Sequence, residues 1–375
     1  MVHKLHDIFE SEKAVDNIKS KSLPSIMLEY SSRCNLRCTY CPKSNPGNEK
    51  IPGRDMDMDD NSVKNFVSIL GKNPLKELLI AGTGESTFNK NWVNDFPAII
   101  SAAKSANPKC LVHLNSNFAR RYTEEELRVL STLDKINVSI DTDDFDLNRT
   151  VRAKSSVADI MYNIIKLNSY CLSNKKRRPH ITIVSVIYES AMKKLPSLLY
   201  SLATLPIEQI QLVDLIETPA AKVNNIEKAS EILRISNDLG EQIAASFQFY
   251  KQNTQISLGI QPAFRKRLNQ LLTSGIKESD EDDIGMGVTR VCTQPWSRFT
   301  IGANMEIYPC CVTDMESQGT WDNTKDLIEN FNNPKIKRFR TNLISGDIPE
   351  VCKKCTNAPV GSAAELINAI LPFTT

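Results

Sequence analysis

Apolar positions along the chain fall into two alternating rhythms. Short runs at 26–30, 77–81, 110–115, 135–140, 181–187 and 210–215 are nearly continuous in aliphatic and β-branched residues. Parallel strands covered on both faces read this way. Between them, residues 60–70, 92–105, 123–133, 157–169 and 192–202 carry amphipathic helical patterns. This βα alternation predicts an α/β fold, a parallel sheet curling into a partial (β/α)6 barrel. The polar loops after the strands should then carry the chemistry, as at the C-terminal face of βα barrels.

A further helical pattern covers 225–246, and the acidic run Glu278-Ser279-Asp280-Glu281-Asp282-Asp283 reads as a solvated loop. From about residue 285 the rhythm stops, and the remainder holds five of the ten cysteines. It reads as a module organised by metal rather than by a large apolar core. The expected division is an N-terminal extension over 1–22, a barrel over 23–224, a helical and irregular linker over 225–284 and a small cysteine-rich domain over 285–375.

Composition adds exclusions. The 375 residues carry 46 Lys plus Arg against 44 Asp plus Glu, a balance with no field for nucleic acid or anionic membrane. The run Lys175-Lys176-Arg177-Arg178 is short and reads as a solvated loop or helix end. No segment has the length of a membrane span, and the polar first residues lack a signal-peptide core. The expected location is the cytoplasm, where cysteines serve as metal ligands or catalytic groups more often than as disulfides.

After the first strand the chain reads Ser31-Ser32-Arg33-Cys34-Asn35-Leu36-Arg37-Cys38-Thr39-Tyr40-Cys41-Pro42, a C-x3-C-x2-C spacing. Three thiolates on one loop ligate three irons of a cubane and leave the fourth open, whereas electron-transfer clusters usually have four cysteines. The competing reading, a zinc loop, needs a fourth ligand. His3, His6, His113 and His180 all lie outside the loop. The spacing, the aromatic Tyr40 and the place after strand one resemble the radical S-adenosylmethionine (SAM) superfamily. The resemblance implies a [4Fe–4S] cluster on Cys34, Cys38 and Cys41 whose open iron chelates the amino and carboxylate groups of SAM. It also implies cleavage of SAM to a 5′-deoxyadenosyl radical that takes a hydrogen atom from substrate.

Other strand ends fit the same family. Ala81-Gly82-Thr83-Gly84-Glu85-Ser86 is similar to its glycine-rich motif, which contacts the SAM amino group; glycines allow close backbone approach. Gly82, Gly84 and Glu85 are thus candidate cofactor contacts. Asn115-Ser116-Asn117 stands where relatives often have a Thr-Asn-Gly-like segment and departs from it, with Asn115 the candidate. Ser139-Ile140-Asp141, followed by Arg149 and Arg152, resembles the family's Ser-x-Asp then Arg arrangement. This gives Ser139 to the ribose hydroxyls, Arg152 to the SAM carboxylate through its planar fork, and Asp141 to SAM or substrate. A surface ion pair is the plain alternative for Arg152.

The second constellation is Cys292, Cys310, Cys311, Cys352 and Cys355, spaced C-x17-C-C-x40-C-x2-C. With Pro295-Trp296 and Ile307-Tyr308-Pro309 it resembles the twitch or SPASM type of auxiliary-cluster domain, in its short four-cysteine form. The resemblance implies a second [4Fe–4S] cluster on Cys292, Cys310, Cys352 and Cys355, fully ligated and suited to carrying electrons. Relatives usually have glycine where Met305 stands, so a different hairpin turn is expected. Cys311 is open: an alternative ligand, a small buried residue, or a hydrogen-atom donor to a substrate radical. A Zn(Cys)4 site is the competing reading of the module. Cys110 and Cys171 read as ordinary residues.

The implied activity is that of a radical SAM oxidoreductase, fed by an external donor such as flavodoxin or ferredoxin. It would oxidise a polar small molecule, sugar- or aminocyclitol-like, with the auxiliary cluster as electron acceptor. Epimerisation is the alternative reaction and a ribosomally made peptide the alternative substrate. Only about thirty residues precede Cys34, too few for a leader-recognition domain. Tyr188, Asp214 and Glu217 are candidate substrate contacts. The non-enzymatic alternative is a zinc-bound scaffold.

Overall fold

The computed structural model describes residues 18–44, 55–215, 236–261, 264–265, 268–269, 288–311, 316–353, 355 and 358–374. All six expected strands form: β1 (Ser25–Leu28), β2 (Glu77–Ile80), β3 (Leu111–Ser116), β4 (Lys135–Ser139), β5 (His180–Ile187) and β6 (Gln209–Asp214). They pair in chain order and all in parallel. Ile26, Leu28, Leu78, Ile80, Val112, Leu114, Ile136, Val138, Ile183, Ile210 and Leu212 are fully buried, but in β2, β3, β4 and β6 they alternate with half-buried or exposed positions, so the expectation of strands covered on both faces holds at every position only in β1.

The connecting helices are α1 (Asp60–Leu70), α2 (Trp92–Ala106), α3 (Glu124–Leu130), α4 (Phe145–Val151), α5 (Val157–Ser173) and α6 (Glu189–Leu202). Local chemistry sets their ends. Thr123 and Glu126 form a reciprocal capping box that starts α3. α6 begins before its apolar pattern does, because the extended Tyr188 is its N-cap. The helix expected over 225–246 is seen from Asn237, in α7 (Asn237–Asn253); 225–235 and the acidic run 278–283 lie outside the described residues.

The sheet does not end at six strands. β7 (Ser257–Ile260) adds in parallel to β6. At the opposite edge β8 (Arg298–Ile301) adds in parallel to β1, and β9 (Ile307–Tyr308) adds antiparallel to β8. The cysteine-rich segment therefore supplies two strands of a nine-stranded sheet. At the base, Glu77, Ser25 and Arg298 share one row across β2, β1 and β8. Ser25 donates to Glu77 at 2.9 Å, Arg298 Nε donates to Ser25 at 2.8 Å, and Arg298 also pairs with Glu77.

The module expected to be organised by metal rather than by a large apolar core has a small one. Ile18, Trp296, Phe339, Leu343, Ile344, Ile348, Leu366 and Ile370 form a second buried cluster. It lies between α8 (Pro334–Ser345), α9 (Ala363–Thr374) and the segment after Cys292. The amphipathic spacing of these helices supplies the apolar face that cysteine counting overlooked. No helix of the described residues is long and apolar enough to cross a membrane.

Candidate functional site

The cysteine loop leaves the C-terminal end of β1. Ser31 and Arg33 both bond to Asp57, at 2.6 and 2.9 Å, and Ser32 N–H donates to the Met56 carbonyl at 2.9 Å. Lys43 lies largely buried behind the loop, donating to the Ser32 carbonyl and, at 2.7 Å, to Asp55. The other flank is a two-residue ribbon, Arg37–Cys38 against Arg152–Ala153, with Cys38 directly opposite Arg152. Opposed residues project to one face, so the guanidinium lies alongside the thiol.

Gly84 packs against the cysteine loop: a Cβ there would run into the carbonyls of Ser31 and Arg33. Glu85 N–H donates to the Arg33 carbonyl at 2.7 Å. Gly82 lies against Glu29, which accepts from Thr83 N–H and hydroxyl at 2.5 and 2.7 Å. The glycines thus let one strand-end loop dock on the next. The Glu85 carboxylate is buried and engaged, accepting from Thr87 N–H and hydroxyl, Ser116 Oγ and Asn117 N–H between 2.6 and 3.2 Å.

Asn115 faces outward, where it accepts from Asn137 at 2.7 Å. Asn117 is buried and donates to Asn35 at 2.8 Å and to Cys34 Sγ at 3.8 Å. The choice of Asn115 is therefore corrected: the strand stops at Ser116, so the chain no longer alternates and Asn117, rather than Asn115, reaches the cysteine loop. Phe118, next in line, has φ 53°, in the left-handed region that glycine favours.

Ser139 is half-buried at the end of β4 and Arg149 is exposed on α4. Asp141 is buried and accepts from Tyr40 Oη at 2.6 Å, Val186 N–H at 3.0 Å and Arg152 Nη1 at 3.3 Å. Arg152 also donates to Tyr40 at 3.0 Å. Burial works against the Arg152 charge, but Tyr40, Asp141 and Cys38 outweigh it and hold its pKa well above the ordinary value. Arg152 Nε and Tyr188 Oη are buried and have no hydrogen-bond partner among the described residues. The Tyr188 ring lies 6.3 Å from that of Tyr40. At the end of β6, Asp214 N–H donates to Gln261 at 2.8 Å and its carboxylate accepts from Leu215 N–H at 2.9 Å. Glu217 lies outside the described residues.

Burial pushes the Cys34 thiol up to about 11, against the pull of Leu36 N–H, and Cys38 up to about 12, against the pull of Arg152. Metal must displace these protons to bind. In the module, burial pushes Cys292 and Cys352 to about 12. The fields of Cys355 and Cys311 reach Cys292, and those of Cys292 and Cys355 reach Cys352. Cys310 is half-buried, its carbonyl accepting from Thr300 at 2.7 Å, whereas Cys311 is exposed, which corrects the expectation of a small buried residue there. Among the described residues no three His, Cys, Asp or Glu are grouped to hold a single metal ion; a cubane asks one thiolate of each iron. Met305 has φ 61°, so the hairpin before Cys310 keeps a glycine-like turn without glycine.

Three residues escaped the sequence reading. Glu29 left one signal, an acid inside an apolar strand. Asn117 stood in the Asn115-Ser116-Asn117 segment but was passed over for Asn115, and Arg290, whose role follows below, left no signal beyond its proximity to Cys292.

Residues 28–185 match the family model of the Radical SAM superfamily, and residues 292–356 match that of SPASM, an iron–sulfur cluster-binding domain. No curated protein matches the sequence. Among solved structures, SuiB of Streptococcus suis bound to S-adenosylmethionine is similar over 88% of this chain and 70% of that one, with 16% identity and a TM-score of 0.61. The structure of anSMEcpe with bound AdoMet is similar over 88% of this chain and 86% of that one, with 16% identity and a TM-score of 0.58.

Proposed function

Because the chain belongs to the radical SAM superfamily and carries a SPASM iron–sulfur domain, we propose that it is an oxidoreductase that removes two hydrogens from a polar small molecule, sugar- or aminocyclitol-like. Cys34, Cys38 and Cys41 would hold the SAM-binding [4Fe–4S] cluster. Cys292, Cys352, Cys355 and one thiol of the Cys310–Cys311 pair would hold the auxiliary cluster. When bound, SAM and the clusters supply a 5′-deoxyadenosyl radical, which removes a hydrogen atom, and an acceptor for the second electron.

The residues present fit these groups. The observation that carries the reading is the buried Tyr40–Asp141–Arg152 cluster beside Cys38, with Arg152 Nε and Tyr188 Oη still unpartnered. Buried polar atoms are nearly always hydrogen-bonded, so two orphans in one place call for a polar ligand. Arg152, fixed by Asp141 and Tyr40, keeps one N–H for a carboxylate. Tyr188 offers its hydroxyl to SAM or substrate. Gly82, Gly84 and Glu85 bring their loop against the cysteine loop, where backbone carbonyls suit an ammonium. Ser139 stands at the same strand ends for hydroxyl contacts. An external flavodoxin- or ferredoxin-type donor completes the scheme.

A peptide substrate is the second reading. The fold accommodates such partners: SuiB is known bound to the precursor peptide SuiA, and anSMEcpe with a Cp18Cys peptide.

The test is anaerobic reconstitution followed by turnover. Two [4Fe–4S] clusters give about eight irons per chain. Cys34→Ala is expected to lose SAM cleavage altogether; cleavage by that variant would end the core assignment. A product lighter by two hydrogens means oxidation, and unchanged mass with solvent deuterium means epimerisation. Mass loss confined to a peptide would replace the substrate class.

A further inference from the structure

Arg290 ends the strand Val288–Arg290, which pairs antiparallel with Val360–Ser362, Arg290 opposite Val360. It lies two residues before Cys292 and is 6% exposed. Its guanidinium donates to three backbone carbonyls: Nε to Cys352 at 2.9 Å, Nη2 to Lys353 at 2.5 Å and Nη1 to Ala358 at 3.2 Å. These acceptors lie on both sides of Cys355. One side chain therefore grips the backbone carrying two thiols while its own backbone leads into a third. Val291 N–H donates to the Pro359 carbonyl at 2.9 Å and closes the same junction.

The charge is unusual as well as the grip. All three acceptors are neutral, and no carboxylate among the described residues forms an ion pair with Arg290. A buried charge is costly unless an opposite charge faces it. The charge lies instead against the backbone that bears Cys352 and flanks Cys355, two residues before Cys292. Arg340, the other deeply buried arginine of the module, shows the contrast. It donates to the carbonyls of Pro295, Ile18 and Phe331 and to Asn332, and burial pulls its pKa down to about 9. No cysteine figures among its partners.

We propose that Arg290 is the positioning residue of the auxiliary iron–sulfur site: its fork sets the turn bearing Cys352 and Cys355 against Cys292, and its charge balances the thiolates. The inference rests on the reading that the module holds an iron–sulfur cluster, and it is independent of the substrate. A fixed positive charge beside a cluster raises its reduction potential, and groups supporting metal ligands govern metal retention.

The experiment uses the full chain, reconstituted anaerobically and without substrate. The auxiliary cluster's midpoint potential is followed by electron paramagnetic resonance, chelator-driven iron loss is timed, and SAM cleavage serves as the control for the core. Arg290→Gln removes the charge and most of the fork. It is expected to hold an auxiliary cluster of more negative potential, or to fall from about eight irons to about four, with SAM cleavage retained. Arg290→Lys keeps the charge without the fork. It is expected to keep the wild-type potential while losing four irons to chelator about ten- to a hundredfold faster. If Arg290→Gln does not accumulate folded, Arg290→Lys carries the test alone. A wild-type potential in Arg290→Gln, or wild-type chelator resistance in Arg290→Lys, overturns the proposal. About four irons in the wild-type chain would overturn it together with the auxiliary-cluster reading; a different substrate would touch neither.

Discussion

At the barrel's strand ends the loop of Cys34, Cys38 and Cys41 is held by carboxylates, whereas the backbone around Cys292 and Cys352 is held by guanidinium groups on neutral carbonyls. Asp57 fixes Ser31 and Arg33, Glu85 joins two strand-end loops, and Asp141 fixes Tyr40 and Arg152. Arg290 and Arg340 have no such partner among the described residues. The difference concerns free charge. Near the core loop the Arg152 charge is already met by Asp141, leaving geometry and one N–H to offer. In the module, no carboxylate among the described residues meets the charge of Arg290 or Arg340. The two cysteine sites are thus built from the same residue types, wired differently.

The largest effect expected on this contrast comes from Asp141. Asp141→Ala removes three accepted bonds and strands a buried guanidinium. Breaking a buried pair from one side costs about 3–5 kcal/mol. Denaturant unfolding should show that loss, and an Asp141→Ala/Arg152→Met double variant should recover much of it. An unchanged unfolding midpoint in the single variant would mean that the charge of Arg152 is met elsewhere, and the contrast with Arg290 would collapse.

Next is the base of the sheet, where the cysteine module joins the barrel. The bond from His113, with Arg298 and Ser25 behind it, holds the Glu77 carboxyl down to about 2. A depressed carboxyl stabilises the fold at pH values above its unfolded pKa. That contribution drains away as pH falls from about 4.5 towards about 2. It is worth about 2–3 kcal/mol near neutrality after allowing for partial exposure. Glu77→Gln should therefore unfold more readily than wild type at pH 7, with the gap narrowing through that acid window. A gap that stays constant with pH would remove the ion pair as the tie between β8 and the barrel.

What could be read in advance follows the same division. The six barrel strands were legible because short runs with every second residue buried and aliphatic recur between helical patterns. The core cysteines were legible because all three sit on one loop. The edge strands were not. Ser257–Ile260 and Ile307–Tyr308 are too short to carry a period, and β8 meets β1 through residues 273 positions apart, as in the Arg298–Ser25 bond. Asn115 was preferred to Asn117 because the facing of residues at a strand end depends on where the strand stops. Arg290 was invisible because its acceptors are backbone carbonyls, which every residue has.

The smallest effect separates the two sites most finely. Each keeps a bulky residue in a left-handed conformation, Phe118 at φ 53° beside the core loop and Met305 at φ 61° before Cys310. Phe118 is fully buried, so its strain cannot be relieved without losing its packing. Met305 is half-buried at a hairpin turn whose N–H donates to the Gly302 carbonyl at 2.8 Å. There the two contributions come apart. Met305→Ala and Met305→Gly lose the same side-chain contacts, but only glycine escapes the left-handed penalty of about 1–2 kcal/mol. Its greater unfolded-state freedom takes back about 0.5–1 kcal/mol. Met305→Gly should therefore exceed Met305→Ala in unfolding free energy by about 0.5–1 kcal/mol, with equal auxiliary iron content. Equal stability would show that residue 305 is not held in that conformation, and that the turn leading to Cys310 is free to differ from its glycine-bearing relatives.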